Sequence, residues 1–195
     1  MDDFTELKTS LKTNEGCVPY MYLDTKGNVT VGVGHMLKAC GDAQKLSFML
    51  RQNPAAANAE QIANDFNSVS QQQKGQFFTH YEQFTLLNMP PETMESLLDA
   101  DIATTEQGVR EKFSGYDNYP LEAKTALLDM AFNLGVDGLA TKFPRLKAAA
   151  EAGDWNTCTI ECEREGVQPS RNAWTKRQFE SAANAAPAAA STVTA

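Results

Sequence analysis

The apolar positions near the amino terminus follow a helical period. Phe4, Leu7 and Leu11 are separated by three and four residues, which places them on one face of a helix. This spacing predicts a short amphipathic helix over residues 2–13, with Glu15 close to its end.

The pattern after this helix changes to short strand-like segments. Residues 20–24 and 29–33 are rich in aromatic and β-branched side chains, and the segment between them contains Gly27. Two such segments joined by a glycine-containing turn predict a β-hairpin.

Beyond His35 the apolar spacing is helical almost to the end of the chain. Helices are predicted over residues 36–52, 92–113, 121–134, 137–152, 154–164 and about 170–184. Residues 58–87 are expected to be largely helical around a polar, uninformative stretch at 70–74. Phe77, Phe78, Tyr81 and Phe84 are interpreted as a buried aromatic stripe rather than a cofactor box. The layout predicts an α+β, mostly α fold, and residues 186–195, which lack charge and periodicity, are predicted to form a disordered tail.

Length and charge narrow the function classes. A chain of 195 residues suits one domain, and a net charge of −8 argues against binding to nucleic acid or to anionic membranes. No apolar run reaches the length of a transmembrane helix, and the first residues lack the basic and apolar regions of a secretory signal peptide. We therefore expect a protein made in the cytoplasm without a signal peptide.

The cysteines and histidines do not form a metal-binding pattern. The four cysteines are Cys17, Cys40, Cys158 and Cys162, and their spacing lacks paired CxxC motifs. The only histidines, His35 and His80, are far apart, so neither a metal nor a cofactor is expected. Cys158 and Cys162 are interpreted as small core residues, and the disulfide state of the four cysteines is left open.

Three polar residues around the hairpin could perform chemistry together. Glu15 ends the first helix, Asp24 borders the turn, and Thr30 lies in the returning strand. Glycoside cleavage requires one carboxyl group that donates a proton and a second, ionised one that acts on water or on the sugar cation. With 25 acidic residues in the chain, the alternative of a helix-end glutamate and a turn aspartate stays open on these residues alone.

The spacing of these residues resembles the catalytic hairpin of the phage-type lysozymes, the glycoside hydrolase family of the T-even bacteriophage enzyme. Eight residues separate Glu15 from Asp24, and five separate Asp24 from Thr30, as in the family pattern. Further matching positions are Gly16, Tyr22, Thr25, Gly27, Gly32, Gly34 and His35.

Weaker resemblance continues to about residue 182, through segments 95–102, 131–135 and 176–180. It implies a lysozyme-like domain over residues 1–185 with two lobes joined by a long helix. The small, hairpin-bearing lobe would comprise residues 14–92, including an insertion near residues 40–88. The helical lobe would comprise residues 114–185 together with the first helix, 2–13.

The resemblance implies roles for the hairpin residues. Glu15 would be the general acid, Asp24 would position the attacking water or stabilise the transition state, and Thr30 would hydrogen-bond that water. Net inversion at the anomeric carbon would follow. His35 and Asp101 would form a structural pair, so that replacing Asp101 with asparagine should lower stability more than activity.

Three further residues are predicted to contact substrate. Gly34 and Asn133 match positions that line the cleft, although Asn133 could equally cap a helix before Gly135. Arg171 is the first choice for the arginine that lines the cleft, and Arg177 is the second.

The implied activity is muramidase cleavage of the β-1,4 bond between N-acetylmuramic acid and N-acetylglucosamine in peptidoglycan. The expected substrate is the glycan strand, and we expect a monomer that acts in the periplasm or cell wall. It would reach this location either as an endolysin released through a holin or as an antibacterial toxin delivered by a secretion machine. The insertion and the acidic charge slightly favour the toxin, which would have an immunity or inhibitor protein as partner. Alternatives are an inactive peptidoglycan- or protein-binding module and a structural phage-tail or inhibitor protein on the same fold.

Overall fold

The computed structural model describes residues 3–185 and shows an α+β, mostly α fold, which confirms the predicted class. The helices are α1 (Thr5–Glu15), α2 (Cys40–Ala43), α3 (Ala59–Ser70), α4 (Pro91–Lys112), α5 (Leu121–Leu134), α6 (Val136–Lys142), α7 (Pro144–Glu151), α8 (Trp155–Glu161) and α9 (Pro169–Ala185). The strands are β1 (Val18–Leu23), β2 (Val29–Gly32), β3 (His35–Leu37), β4 (Met49–Leu50) and β5 (Leu87–Asn88). The predicted tail at residues 186–195 lies outside the described residues.

The chain divides into two compact units. One, called here the hairpin unit, is Leu11–Asp101, and the other, the helical unit, combines the described residues up to Ser10 with those from Ile102 onward. Across residues 3–185, none of the helices has the length and apolar character to cross a membrane.

A three-stranded antiparallel sheet organises the hairpin unit. Strand β2 lies between β1 and β3, and β4 pairs separately with β5. Leu23, Val29 and Leu37 occupy paired positions and belong to the buried core. Because directly paired residues project to the same face of a sheet, Tyr22, Thr30 and Met36 form the opposite face.

The predicted helix at 36–52 is wrong. This segment instead contains β3, the four-residue helix α2 and strand β4, whose Met49 pairs with Asn88. Phe48 beside β4 is buried in the core of the unit. The pairing of β4 with a strand almost forty residues later has no local signature, so its apolar residues look like part of a helix in sequence.

Only the first part of residues 58–87 forms an α-helix. Asn58 caps the start of helix α3, because its side chain accepts a hydrogen bond from the Gln61 amide at 2.9 Å, and the helix ends at Ser70. A polar segment and short 3-10 turns follow. Within the predicted aromatic stripe Tyr81 is buried, but Phe77 is exposed, so the stripe is wrong as a single buried face.

The helical unit follows the prediction more closely. Helix α5 is buried along most of its length and ends before Gly135, whose φ of 73° is easily adopted by glycine. Both α5 and α8 pack against α9. The predicted 137–152 helix is divided between Lys142 and Pro144, and Asp154 caps α8 by accepting from the Thr157 amide at 3.0 Å.

Candidate active site on the hairpin unit

The turn between β1 and β2 fixes the Asp24 carboxylate through its own backbone. Oδ1 accepts hydrogen bonds from the amides of Lys26 and Asn28 at 2.9 and 2.8 Å, and Oδ2 accepts from Asn28 Nδ2 at 2.8 Å. Gly27 makes this turn possible with a φ of 95°. The Asp24 side chain is therefore held rigidly while remaining only half-buried.

These hydrogen bonds also control the protonation state of Asp24. Desolvation alone would raise its pKa, but the side chain of Asn28 and the amides of Asn28, Lys26 and Gly27 outweigh burial and lower the pKa below the ordinary aspartate value. Asp24 is therefore ionised at neutral pH.

Thr30 lies on the sheet face opposite the core and directly pairs with Tyr22. Its hydroxyl donates to the Asn28 carbonyl oxygen at 3.1 Å, and the residue is only 3% exposed. Because a hydroxyl has one proton and two lone pairs, this bond leaves Thr30 able to accept a hydrogen bond from a water or a sugar hydroxyl.

The Tyr22 phenol is influenced electrostatically by both predicted catalytic carboxylates. Burial raises its pKa to about 12, and the negative charges of Glu15 and Asp24 both add to the increase. Both carboxylates therefore act electrostatically on one phenol group. Glu15 is the last residue of α1 and is half-buried, and Asp24 follows the end of β1.

His35 and Asp101 are in direct contact. His35 Nδ1 lies 2.9 Å from both carboxylate oxygens of Asp101, and both side chains are about one-quarter exposed. This contact joins β3 to α4 within the hairpin unit. Its effect on stability stays a prediction.

Gly34 forms the turn between β2 and β3. Its φ is 77°, the residue is exposed, and a Cβ added there would have no neighbouring atom within 4 Å. Backbone conformation rather than crowding therefore favours glycine at this position. The contact of Gly34 with substrate stays a prediction.

Asn133 and Arg171 belong to the helical unit. Asn133 is exposed in the last turn of α5. Arg171 is buried, and its Nε donates to Oδ1 of the fully buried Asp129 at 2.9 Å. Asn133 and Arg171 remain predicted substrate-binding residues, and Arg177 is exposed on α9.

The described residues were also compared with the requirements of a metal-binding site. Between residues 3 and 185, no three histidine, cysteine, aspartate or glutamate side chains are grouped so that they could hold a metal ion. All four cysteines are free thiols. Cys158 and Cys162 are buried, as their interpretation as core residues predicted.

A comparison with protein families shows to which family this protein belongs. The family model of phage lysozymes matches residues 12–165, which cover most of the chain. This protein belongs to the phage lysozyme family. No individual curated protein matches the sequence.

Phage lysozymes are glycoside hydrolases of the muramidase type, so family membership implies peptidoglycan hydrolysis in general terms. The match includes the hairpin unit with Glu15, Asp24 and Thr30, and it extends into the helical unit through α8.

Sequence reasoning missed two features of this phage lysozyme. Tyr22 entered only as a matching position, although its alternation with Leu23 already placed it on the face opposite the core. The buried contact of Arg164 with Asp129 carries no sequence signal, because 35 residues separate the two partners.

Proposed function

We propose that this phage lysozyme hydrolyses the β-1,4 bond between N-acetylmuramic acid and N-acetylglucosamine, with Glu15, Asp24 and Thr30 as its catalytic residues. The observation that supports the proposal most directly concerns Tyr22, which pairs with Thr30 across the sheet and whose pKa is raised by burial and, to a smaller extent, by the charges of Glu15 and Asp24. Family membership supplies the reaction class.

In the proposed reaction Glu15 donates its proton to the glycosidic oxygen as the bond to the anomeric carbon breaks. A water adds its oxygen to that carbon and gives up a proton to Asp24. The carboxylate of Asp24 can occupy this position because it is ionised and its orientation is fixed by the turn. Thr30 holds the same water through a free lone pair. Attack from the face opposite the leaving group gives inversion.

The decisive experiment compares the parent protein with Glu15→Gln on purified peptidoglycan. We expect the parent to lower turbidity and to release muropeptides with reducing-end muramic acid, and the variant to lose at least about 10²-fold in rate with an unchanged melting temperature. Release of anhydro-muramic products would instead indicate a lytic transglycosylase. Binding to the wall without any released product would support the alternative of an inactive binding module.

We also propose that the protein acts as a monomer on the cell wall, in the periplasm or beyond it. We further propose that it is an antibacterial toxin countered by a protein inhibitor, rather than an endolysin. The acidic charge of −8 and the long segment between β3 and α4 support the preference. Expression in bacteria with and without a secretory leader tests the location, since only the exported form should lyse cells. Protection by a neighbouring gene product would support the toxin.

A further inference from the structure

The segment between α3 and β5 lies over the catalytic hairpin turn. A Cβ placed on Gly27 would lie 3.2 Å from Lys74 Cδ, so the side chain of Lys74 covers the turn that holds Asp24. Tyr81 anchors the segment, since it is fully buried and its hydroxyl donates to the Gln73 carbonyl oxygen at 2.8 Å. The residues between Lys74 and Tyr81 are therefore held beside the turn.

This anchored segment presents two adjacent phenylalanines. The rings of Phe77 and Phe78 are 4.3 Å apart between centroids and inclined by 33°. Phe78 in turn meets Tyr22 edge-on, with 6.5 Å between centroids and 64° between the ring planes. A continuous line of aromatic rings thus runs outward from the sheet face that contains Thr30.

The outer ring of this line remains in solvent. Phe77 is 69% exposed, although burial of a phenylalanine side chain contributes favourably to folding. The side chain nevertheless has a fixed neighbour in Phe78, which limits its freedom. Phe77 and Phe78 together are called here the aromatic platform. An exposed, supported ring close to a catalytic site is suited to binding an apolar surface.

We propose that the aromatic platform is a glycan subsite in which the C–H face of a pyranose ring stacks on Phe77. This inference rests on the proposed function, and it assigns to the segment between α3 and β5 a role in holding the glycan strand. In β-1,4-linked N-acetyl sugars the hydroxyl and acetamido groups project around the ring edge, so the two ring faces expose C–H groups. The exposed side chains of Gln76 and Thr79 flank the platform and could hydrogen-bond the ring edge.

Charge favours a glycan over a membrane as the occupant. The chain carries a net charge of −8, which opposes approach to an anionic lipid surface, whereas an uncharged N-acetylglucosamine residue is unaffected. The platform is also continuous, through Tyr22, with the face that holds the proposed catalytic groups. A polymeric substrate that occupies that face extends beyond it in both directions, so a second contact nearby adds affinity.

The test measures glycan binding without turnover. In a Glu15→Gln background, the dissociation constant for a soluble hexamer of β-1,4-linked N-acetylglucosamine is measured by calorimetry for Phe77→Ala, Phe77→Leu and Phe77→Trp. We expect Phe77→Ala and Phe77→Leu to weaken binding by roughly fivefold to tenfold, because leucine keeps apolar area but lacks a flat ring. Phe77→Trp should retain binding or strengthen it.

Leu86→Ala is the matched control, because Leu86 is 67% exposed in the same part of the chain but lies outside the aromatic platform. It should leave the dissociation constant unchanged, and melting temperatures should show that all variants fold. The subsite would be overturned if the Glu15→Gln protein bound the hexamer no better than the same protein with Phe77→Leu. It would also be overturned if the Glu15→Gln protein did not bind the hexamer. If Phe77→Ala lowered binding to anionic vesicles or to an inhibitor protein but kept its affinity for the hexamer, the platform would be assigned to that partner and the subsite would be overturned. Failure of the proposed function is a separate result, namely no muropeptide release by the protein with Glu15 intact.

Discussion

Asp24 in the hairpin unit and Asp129 in the helical unit are both held by several hydrogen bonds, but from donors of different kinds. Asp24 accepts from residues two and four positions later in its own turn and stays half-buried. Asp129 is 0% exposed and accepts from Arg164 and Arg171, which follow it by 35 and 42 residues. A local turn thus holds the Asp24 carboxylate while leaving it partly accessible, whereas the fully buried Asp129 is held by cations from distant segments.

The energetic consequences of these two arrangements differ. Burial lowers the pKa of Arg164, although the negative charge of Asp129 opposes this decrease, so Arg164 needs a carboxylate beside it in the core. Thr175 completes the cluster by accepting from Arg164 Nη2 at 2.7 Å and donating to Asp129 at 2.8 Å. We infer that Asp129 serves folding, whereas Asp24 keeps the partial exposure that its proposed catalytic role requires.

Asp129→Ala should have the largest effect on stability. It removes the carboxylate partner of the buried Arg164, and the free energy of unfolding should fall by about 3–5 kcal/mol. Urea denaturation followed by circular dichroism measures this loss. Asp137→Ala is the control in the same unit, because the Asp137 side chain is 85% exposed in its pair with Lys112 and should contribute less than about 1 kcal/mol. Similar losses for both variants would contradict the comparison.

Asp24→Asn should show the opposite profile. Turnover on peptidoglycan should fall by about 10²- to 10³-fold, equivalent to roughly 3–4 kcal/mol in the barrier, because the water loses its carboxylate partner. The free energy of unfolding should change by only about 1 kcal/mol, since the backbone donors of the turn keep one oxygen acceptor. A variant that keeps full activity would refute the role of Asp24.

The contribution of Asp24 to stability should depend on pH. Its pKa is lowered in the folded state, so its stabilising effect is fully present above the unfolded value of about 3.9 and is lost as pH falls through the folded pKa. The difference in unfolding free energy between the parent and Asp24→Asn should be constant near neutrality and should shrink below about pH 4. Asn28→Ala, which removes one donor, should reduce the pH dependence. A difference that grows in acid would contradict this sign.

The cysteines provide the smallest but simplest contrast between the units. Cys17 in the hairpin unit is exposed, whereas Cys158 in the helical unit is buried, and burial raises its pKa to about 12, with smaller contributions from Asp154 and Cys162. Iodoacetamide should therefore modify Cys17 at least roughly tenfold faster than Cys158 in the native protein. Mass mapping at timed intervals measures the rates, and equal rates would show that the helical unit opens readily.

Much of the fold was predictable because its determinants are local. Helices α1, α4 and α5 follow from apolar spacing, and the end of α5 follows from Gly135. The broken prediction at 36–52 has a different origin. Strand β4 is two residues long and exists because it pairs with β5, so its apolar residues carry no local sign of a strand.

The same distinction applies to the candidate site. The turn that fixes Asp24 and the placement of Glu15 at a helix end are consequences of neighbouring residues, and the sequence alone predicted both. The contact of His35 with Asp101 was expected only from family resemblance, and the aromatic platform was not expected at all, because the helical spacing grouped Phe77 with the buried Tyr81. Helical spacing is the same for a buried ring and for an exposed one.

By itself, then, the sequence determined the α+β class, the hairpin and the order of the groups proposed to act on substrate. Only the tertiary structure decided that Asp129 is enclosed by two arginines and that Phe77 stays in solvent against Phe78. The physical reason is that hydrogen bonds within a turn or a helix are set by residues a few positions apart, whereas burial depends on which distant segments meet.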